Sequence, residues 1–538
     1  MLITAPLTAR EVVDASPPTD LSVTIYRNPD RDPDEPLERD FPQGFALISE
    51  TRRVTLPQGE STIRFEGVAE GMVGVSAIVT GLPGGTIEKN RNAQLLSPAA
   101  LVNGTLGNRV TITRTNPATG AAVSEQAIVR TRADGGLVLQ SSQGFEAVRC
   151  AGLPETLTFD RVPKGLSAAP VYSVDTRSPK GGTYDVTLTY LSWGFDWQAN
   201  YVGTVGRKNA GAKAGGGEEF DLQLLSWLTL LNDNGQSFDN ARLQIIAGTL
   251  NVDSDYEGLS DPPTAEPLRL ECYPIGSTSA GSPVPDYRPQ PVFAPPSPMA
   301  MVERSAEMIV VTGSRIAADE FEAPVAVTTA EEEDLGDLKL FRVPDRVDVS
   351  AKGMKQVAFL NKDAVKARYL YEAGCDPREW IDDEDEEPQP ASMLLVTKNE
   401  TAKGLGIALP QGALNLFEPT ERGAQLAATT TLRDYARGQD VELEIGESAQ
   451  VFARCARIDE DRHPRDSGRK WTKMRAELTN ANPHPVTLRL QLGWSSQWEA
   501  RVPRESVVVK NGYKVAVVTI PANQTRTFDW RLRDVDAE

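Results

Sequence analysis

Short runs of β-branched and aromatic residues alternating with polar ones, each closed by a turn dipeptide, recur along nearly the whole chain. A period of two sends successive side chains to opposite faces, which is how a half-buried strand reads and a helix does not. Residues 21–26 (LSVTIY) alternate in this way, residues 53–56 run into Pro57-Gln58-Gly59, and residues 61–65 resume the pattern. Residues 110–114, 127–131 and 137–140 continue it, with Asp134-Gly135 placed to turn the chain between the last two. In residues 184–191 (YDVTLTYL), Val186, Leu188 and Tyr190 share one face, while Thr187 and Thr189 take the other. Residues 222–231 and 241–247 flank Asn234-Gly235, a spacing that predicts a hairpin with a long connection. Near the C-terminus, residues 474–479, 486–492, 506–509, 513–520 and 525–532 follow one another closely, with Asn511-Gly512 as a hairpin turn. Helical periodicity is hard to find. The expected fold is therefore mainly β: several antiparallel β-sandwich or meander domains, an immunoglobulin-like C-terminal sandwich and little helix.

At roughly 150 residues per domain, 538 residues predict three or four units. Seven prolines, at positions 283, 285, 289, 291, 295, 296 and 298, predict an extended linker, and the run Asp376 to Glu387 predicts a solvated acidic loop. The expected division is an export-signal remnant or disordered start (1–19), an N-terminal β domain (20–165), a central β domain in two parts (166–280 and 346–435) split by a Pro-rich insertion (281–345), and a C-terminal sandwich (436–538).

The 75 acidic residues exceed the 56 Lys and Arg by 19, a balance that repels nucleic acid and anionic lipid. No run approaches the roughly 18 to 20 apolar residues that span a bilayer as a helix, so no transmembrane span is expected. Residues 1–9 (MLITAPLTA) read like the end of a secretory h-region with an A-x-A-like cleavage site, without a basic n-region. The expectation is an upstream start codon and an exported product.

With two histidines, His463 and His484, sites built from several imidazoles are excluded, although carboxylate or lysine chemistry survives. Cys150, Cys272, Cys375 and Cys455 form no CxxC, which removes structural zinc and thioredoxin-like motifs. Disulfides in any of three pairings and four separate buried thiols both remain open. The acidic run, and the alternating oxygens of Asn251, Asp253, Asp255 and Glu257, lack the rest of a calcium loop. Residues 211–217 and Gly404-Leu-Gly406 lack the Lys-Ser/Thr of a phosphate loop and read as flexible turns; Ser192 and Ser495 stand in no nucleophile elbow. No catalytic, cofactor or metal residues are assigned.

Two segments invite a functional reading. Trp193, Asp196 and Trp197 could form a carbohydrate site, aromatic faces holding a sugar beside a carboxylate, but a glycosidase needs a second placed carboxylate and none is identified. The adopted reading is that these aromatics plug the core where a strand ends. Residues 307–316 (EMIVVTGSRI), carrying Glu307, Ile309, Val310, Val311, Thr312 and Gly313, form a β-prone strand after the linker, suited to pairing with the edge of another sheet or completing the chain's own. The segment resembles the TonB-box region of bacterial outer-membrane receptors, which implies TonB or a similar envelope protein as partner, although it sits mid-chain here.

Residues 51–68 (TRRVTLPQGESTIRFEGV), 191–202 (LSWGFDWQANYV), 227–251 (WLTLLNDNGQSFDNARLQIIAGTLN), 398–418 (KNETAKGLGIALPQGALNLFE) and 477–491 (ELTNANPHPVTLRLQ) together resemble the bacterial family called domain of unknown function 4139, relatives of mucoidy inhibitor A. The inter-domain coiled coil frequent in that family is missing, since no heptads occur. The resemblance implies a β-rich envelope protein without an established reaction, and it carries no catalytic residues. The expected function is non-enzymatic binding or scaffolding in the periplasm or envelope of a Gram-negative bacterium, with carboxylate-dependent hydrolysis of envelope carbohydrate, and partner capture through residues 307–316, as alternatives.

Overall fold

The structure is a computed structural model that describes residues 10–92, 95–116, 118–132, 137–148, 155–163, 166–206, 219–248, 250, 258–260, 262–265, 329–375, 387–458, 471–503 and 506–535. Strands hold 62% of the described residues against 3% helix, so the protein is mainly β. Among the described residues no helix is long and apolar enough to cross a membrane. The Pro-rich stretch, residues 307–316, Cys150, Cys272, residues 251–257 and the acidic residues 376–386 lie outside the described set.

The chain divides into two compact units. Residues 1–90, 172–262 and 326–538 form the first, and residues 91–171 and 263–325 the second. The N-terminal domain expected over 20–165 thus divides near residue 91. The reason is strand pairing: the strand Gly44–Leu56 binds Asp20–Tyr26 along one edge and residues 182–195 along the other, tying the N-terminus to the central sheet.

The second unit is a five-stranded antiparallel sheet, four strands in a meander and a fifth, Glu155–Thr158, returning beside Arg109–Thr115, with a helix, Pro98–Gly104, the sole α-helix among the described residues. Its start is well marked, since Pro98 takes the first turn and Ser97 Oγ accepts the Ala100 amide at 3.1 Å. At seven residues it is too short to leave a periodic signal. Ala99 and Val102 pack with Val110, Ile112, Ala127, Val129, Leu137 and Leu139.

The first unit is organised by long strands that change partners along their length. Gly182–Val205 pairs with Gly44–Leu56 up to a bulge at Trp193/Phe195, and beyond it with Phe220–Asn232 on one edge and Gly412–Thr420 on the other. Gly194 makes the bulge with φ +85°, a left-handed conformation that a Cβ would strain. Val186, Leu188 and Tyr190 are fully buried, whereas Thr187 and Thr189 meet Thr51 and Ser49 through hydroxyl contacts of 2.9 Å on the outer face, as the alternation predicts. The hairpin predicted around Asn234-Gly235 does not form. Both edges of Phe220–Asn232 are already occupied, by residues 195–205 and by Gly353–Gly374, so Phe238–Ala247 leaves to pair in parallel with Asp20–Tyr26. Asn232 and Asn234 hold that crossing: Asn232 Nδ2 donates to Gln236 O and Ser350 O, each at 3.0 Å, and Asn234 Nδ2 donates to Trp193 O at 3.0 Å.

The Gly404/Gly406 turn is pinned rather than loose. Buried Asn399 donates to Ile407 O (2.7 Å) and Ala436 O (3.0 Å) and accepts the Gly406 amide (3.0 Å). An added Cβ at Gly404 would stand 2.4 Å from Ala364 O.

The C-terminal part is a two-layer sandwich. One layer joins the end of Asp440–Arg457 to Thr472–Asn480, Gln524–Asp534 and Trp498–Arg501; the other joins the end of Gly353–Gly374 to Val486–Trp494, Tyr513–Ile520 and Val508–Lys510. Trp498, Trp530, Leu488, Leu490 and Met474 fill the space between them. Asn511 and Gly512 adopt φ of +50° and +86°, the left-handed pair that a two-residue hairpin turn requires. Cys375, one residue past Gly353–Gly374, forms a disulfide with Cys455 of Asp440–Arg457 and so links the two layers.

A charged strut ties this sandwich to the preceding sheet. Arg489 donates to Glu442 Oε1 and Oε2 at 3.0 and 2.9 Å and also pairs with Glu372, while Lys510 reaches Glu442 at 3.1 Å. Burial pushes the Glu442 carboxyl up, but Arg489 and Lys510 more than offset it and hold it below the usual carboxylate range. A depressed folded-state pKa contributes stability above the unfolded value of about 4.3, and the contribution is lost as pH falls through the folded value. Glu442→Gln is expected to cost about 2 kcal/mol at pH 7 and much less at pH 3, read as the change in urea unfolding midpoint at the two pH values.

Candidate binding cleft

The aromatic segment singled out in the sequence lies at the bulge of Gly182–Val205, where that strand changes partners. Trp197 is fully buried. Trp193 is half-buried and closes a stack on Phe45 (6.0 Å between ring centroids), which in turn stacks on Tyr26 (4.7 Å). Asp196, 1% exposed, has both oxygens engaged: Oδ1 accepts the Asn28 and Trp197 amides at 3.0 and 2.7 Å, and Oδ2 accepts Arg31 Nη1 at 2.6 Å. Arg31 Nη2 donates to Trp197 O at 2.6 Å. Burial drives the Asp196 carboxyl upward and the Arg31 charge opposes it. This arrangement fastens residues 27–31 onto the sheet, helped by Arg27, which donates to both oxygens of Asp434 at 3.2 and 2.6 Å. An acid so enclosed has no free oxygen for a substrate.

A cleft of about 640 Å³ opens elsewhere in the same unit. Sequence reasoning missed it. Its inner end is built on Gly44–Leu56, whose inward row reads Ala46, Ile48, Glu50, Arg52, Val54 and Leu56, an apolar stripe interrupted by one carboxylate and one guanidinium. The two are 2% and 3% exposed, and Arg52 Nη2 donates to Glu50 Oε2 at 2.9 Å while Nη1 donates to Glu66 O at 2.7 Å. Glu50 Oε1 and Arg52 Nε have no hydrogen-bond partner. Burial raises the Glu50 carboxyl above its ordinary range, with Arg52 acting against it. The same burial, together with the Glu50 charge, lifts the Tyr190 phenol well above its usual value.

The mouth is polar. Asp20 accepts Arg346 Nη2 at 2.8 Å and also pairs with Arg242, and this hydrogen bonding holds its carboxyl below the usual range. Arg346 Nη1 donates to Asn240 O at 2.9 Å. Pro17, Pro18 and Phe238 supply apolar wall. The signal that could have revealed the cleft was the pair of charges at inward positions 50 and 52; it is lost when the strand is read as starting at residue 53.

No family model, no curated protein and no solved structure matches this chain.

Proposed function

We propose that this chain is a non-enzymatic binding protein of the Gram-negative cell envelope, working through the cleft lined by Asp20, Glu50, Arg52 and Arg346. The observation that carries the reading is the pairing of charge within the cleft: Arg52 bonds to Glu50 at the inner end and Arg346 to Asp20 at the mouth, so the ionic groups hold one another in place along a ligand-sized cavity. The Cys375–Cys455 link supports an oxidising compartment, since disulfides persist in the periplasm and are reduced in the cytosol. The likeness of five segments to the mucoidy inhibitor A relatives points the same way. Hydrolysis of envelope carbohydrate gains no support from Asp196, whose oxygens are already taken by Asn28, Trp197 and Arg31.

Expression from the native upstream DNA, followed by osmotic-shock fractionation and peptide mapping without reductant, tests the compartment. The expected result is release with the periplasmic fraction and a linked pair of peptides containing Cys375 and Cys455. A cytosolic product with both thiols free would overturn it. Partner capture by residues 307–316 is a separate proposal, checked by pull-down with TonB: the wild-type chain should capture it and Val310→Pro, which removes a ladder donor, should not, whereas equal capture by the two would reject the mechanism.

A further inference from the structure

We infer that the cleft recognises a primary ammonium group next to a carbonyl oxygen, the pattern presented by an amino-acid amide or by the amino terminus of a peptide. The inference rests on the binding reading above and adds the chemistry of the ligand.

Charge comes first. The lining holds Asp20, Glu50, Glu66 and Asp239 against Arg52 and Arg346, and with Arg242, which pairs with Asp20 at the mouth, the balance is four acids against three bases. A cavity with surplus negative charge and low-dielectric walls favours a cationic guest. The deep end then sets the pattern. Glu50 is a nine-tenths buried acceptor with an unbonded oxygen, and Arg52 is a nine-tenths buried donor with an unbonded Nε. A buried polar atom left without a partner is destabilising, so a ligand that supplies one donor and one acceptor together recovers more than either alone. Both unbonded atoms lie just beneath the cleft surface, so binding shifts the wall: an ammonium donates to the carboxylate, and the adjacent carbonyl oxygen accepts from the guanidinium N–H. Both are charge-assisted bonds, the strong class. A bare anion would face the surplus carboxylate, and an amine without a carbonyl would leave Arg52 unanswered. The volume suits a ligand of a few residues, and Pro17, Pro18 and Phe238 give its aliphatic part an apolar surface.

The test is calorimetric titration of the full chain at pH 7 with alaninamide, trialanine amide, N-acetyl-trialanine amide and ethylamine. Saturable binding of the two free-amine amides is expected, at least tenfold weaker for the acetylated peptide and for ethylamine. Tighter binding of alaninamide than of trialanine amide identifies a single residue as the ligand; the reverse identifies a peptide terminus. Glu50→Gln should weaken the free-amine ligands at least tenfold. Because Glu50 is buried, Asp239→Trp serves as the second variant: residue 239 is exposed at the mouth, so the indole obstructs the cleft with the fold, checked by circular dichroism, intact. It should abolish binding. Equal affinity for the acetylated and free peptides, blocked by Asp239→Trp, overturns the ammonium assignment and leaves the cleft as a binding site. No heat with any probe overturns the ligand class, and binding that ignores both substitutions overturns the cleft as well.

Discussion

Replacing Arg31 with Met is expected to destabilise the first unit by about 3–5 kcal/mol, among the largest effects available from a single side chain in this protein. Arg31 and Asp196 have side chains 3% and 1% exposed, and their 2.6 Å contact sits beneath the Asn28 and Trp197 amides. Removing the guanidinium leaves a carboxylate enclosed by protein with two backbone donors and no cation bonded to it, Arg27 acting only through space. The reciprocal change, Asp196→Asn, retains the oxygen for both amides but turns an amide NH2 toward the Arg31 donors, so it too should be costly. The double variant Arg31→Met/Asp196→Asn removes the stranded charge and the opposed donors together. It is expected to recover much of the loss, giving a coupling energy of about 2 kcal/mol or more in a denaturant double-mutant cycle. Additive losses would mean that the two residues do not act as a pair. Binding at the cleft should persist in the double variant, because neither residue lines it.

The second large effect is expected at the disulfide. Cys375 and Cys455 are 80 residues apart, and closing a loop of that length restricts the unfolded chain by about 4 kcal/mol in the chain-entropy model. Cys375→Ala/Cys455→Ala should lower the stability of the C-terminal sandwich by close to that amount. Dithiothreitol should lower the unfolding midpoint of the wild type to that of the double variant and leave the variant unchanged. A midpoint insensitive to reductant in the wild type would mean that the link is not made. Location supports a large effect: the bond ties the two layers of the sandwich, and Cys375 is held by its amide to Gln491 O at 2.8 Å.

Alternation made the fold class legible. The pattern of residues 184–191 placed Val186, Leu188 and Tyr190 inward, and the structure buries all three. Asn511-Gly512 reads as a hairpin turn and is one, because only a few residue types tolerate two successive left-handed conformations. What a local window could not show was where a long strand changes neighbours. Gly182–Val205, Gly353–Gly374 and Asp440–Arg457 each serve more than one set of partners, and each switch depends on which edges distant strands leave open. The same limit hid the role of Asn234, which looks like a hairpin signal and instead fastens a crossing to Trp193 O. Asp196 could be singled out by its aromatic neighbours, whereas its partner Arg31 lies 165 residues earlier. The Cys375–Cys455 link was one of several equivalent choices until the layers were in place. Glu50 and Arg52 were hidden for a different reason: charges normally mark the solvent face of a strand, and here they sit on the inward face between Ile48 and Val54.

A crystal structure of the full chain grown with trialanine amide tests the central claim most directly. The account predicts electron density for the peptide in the cleft, its ammonium against Glu50 and its first carbonyl oxygen toward Arg52, with Asp196 still bonded to Arg31. Peptide bound beside Trp193 and Asp196, or Glu50 and Arg52 unchanged beneath an empty cleft at saturating peptide, would contradict it.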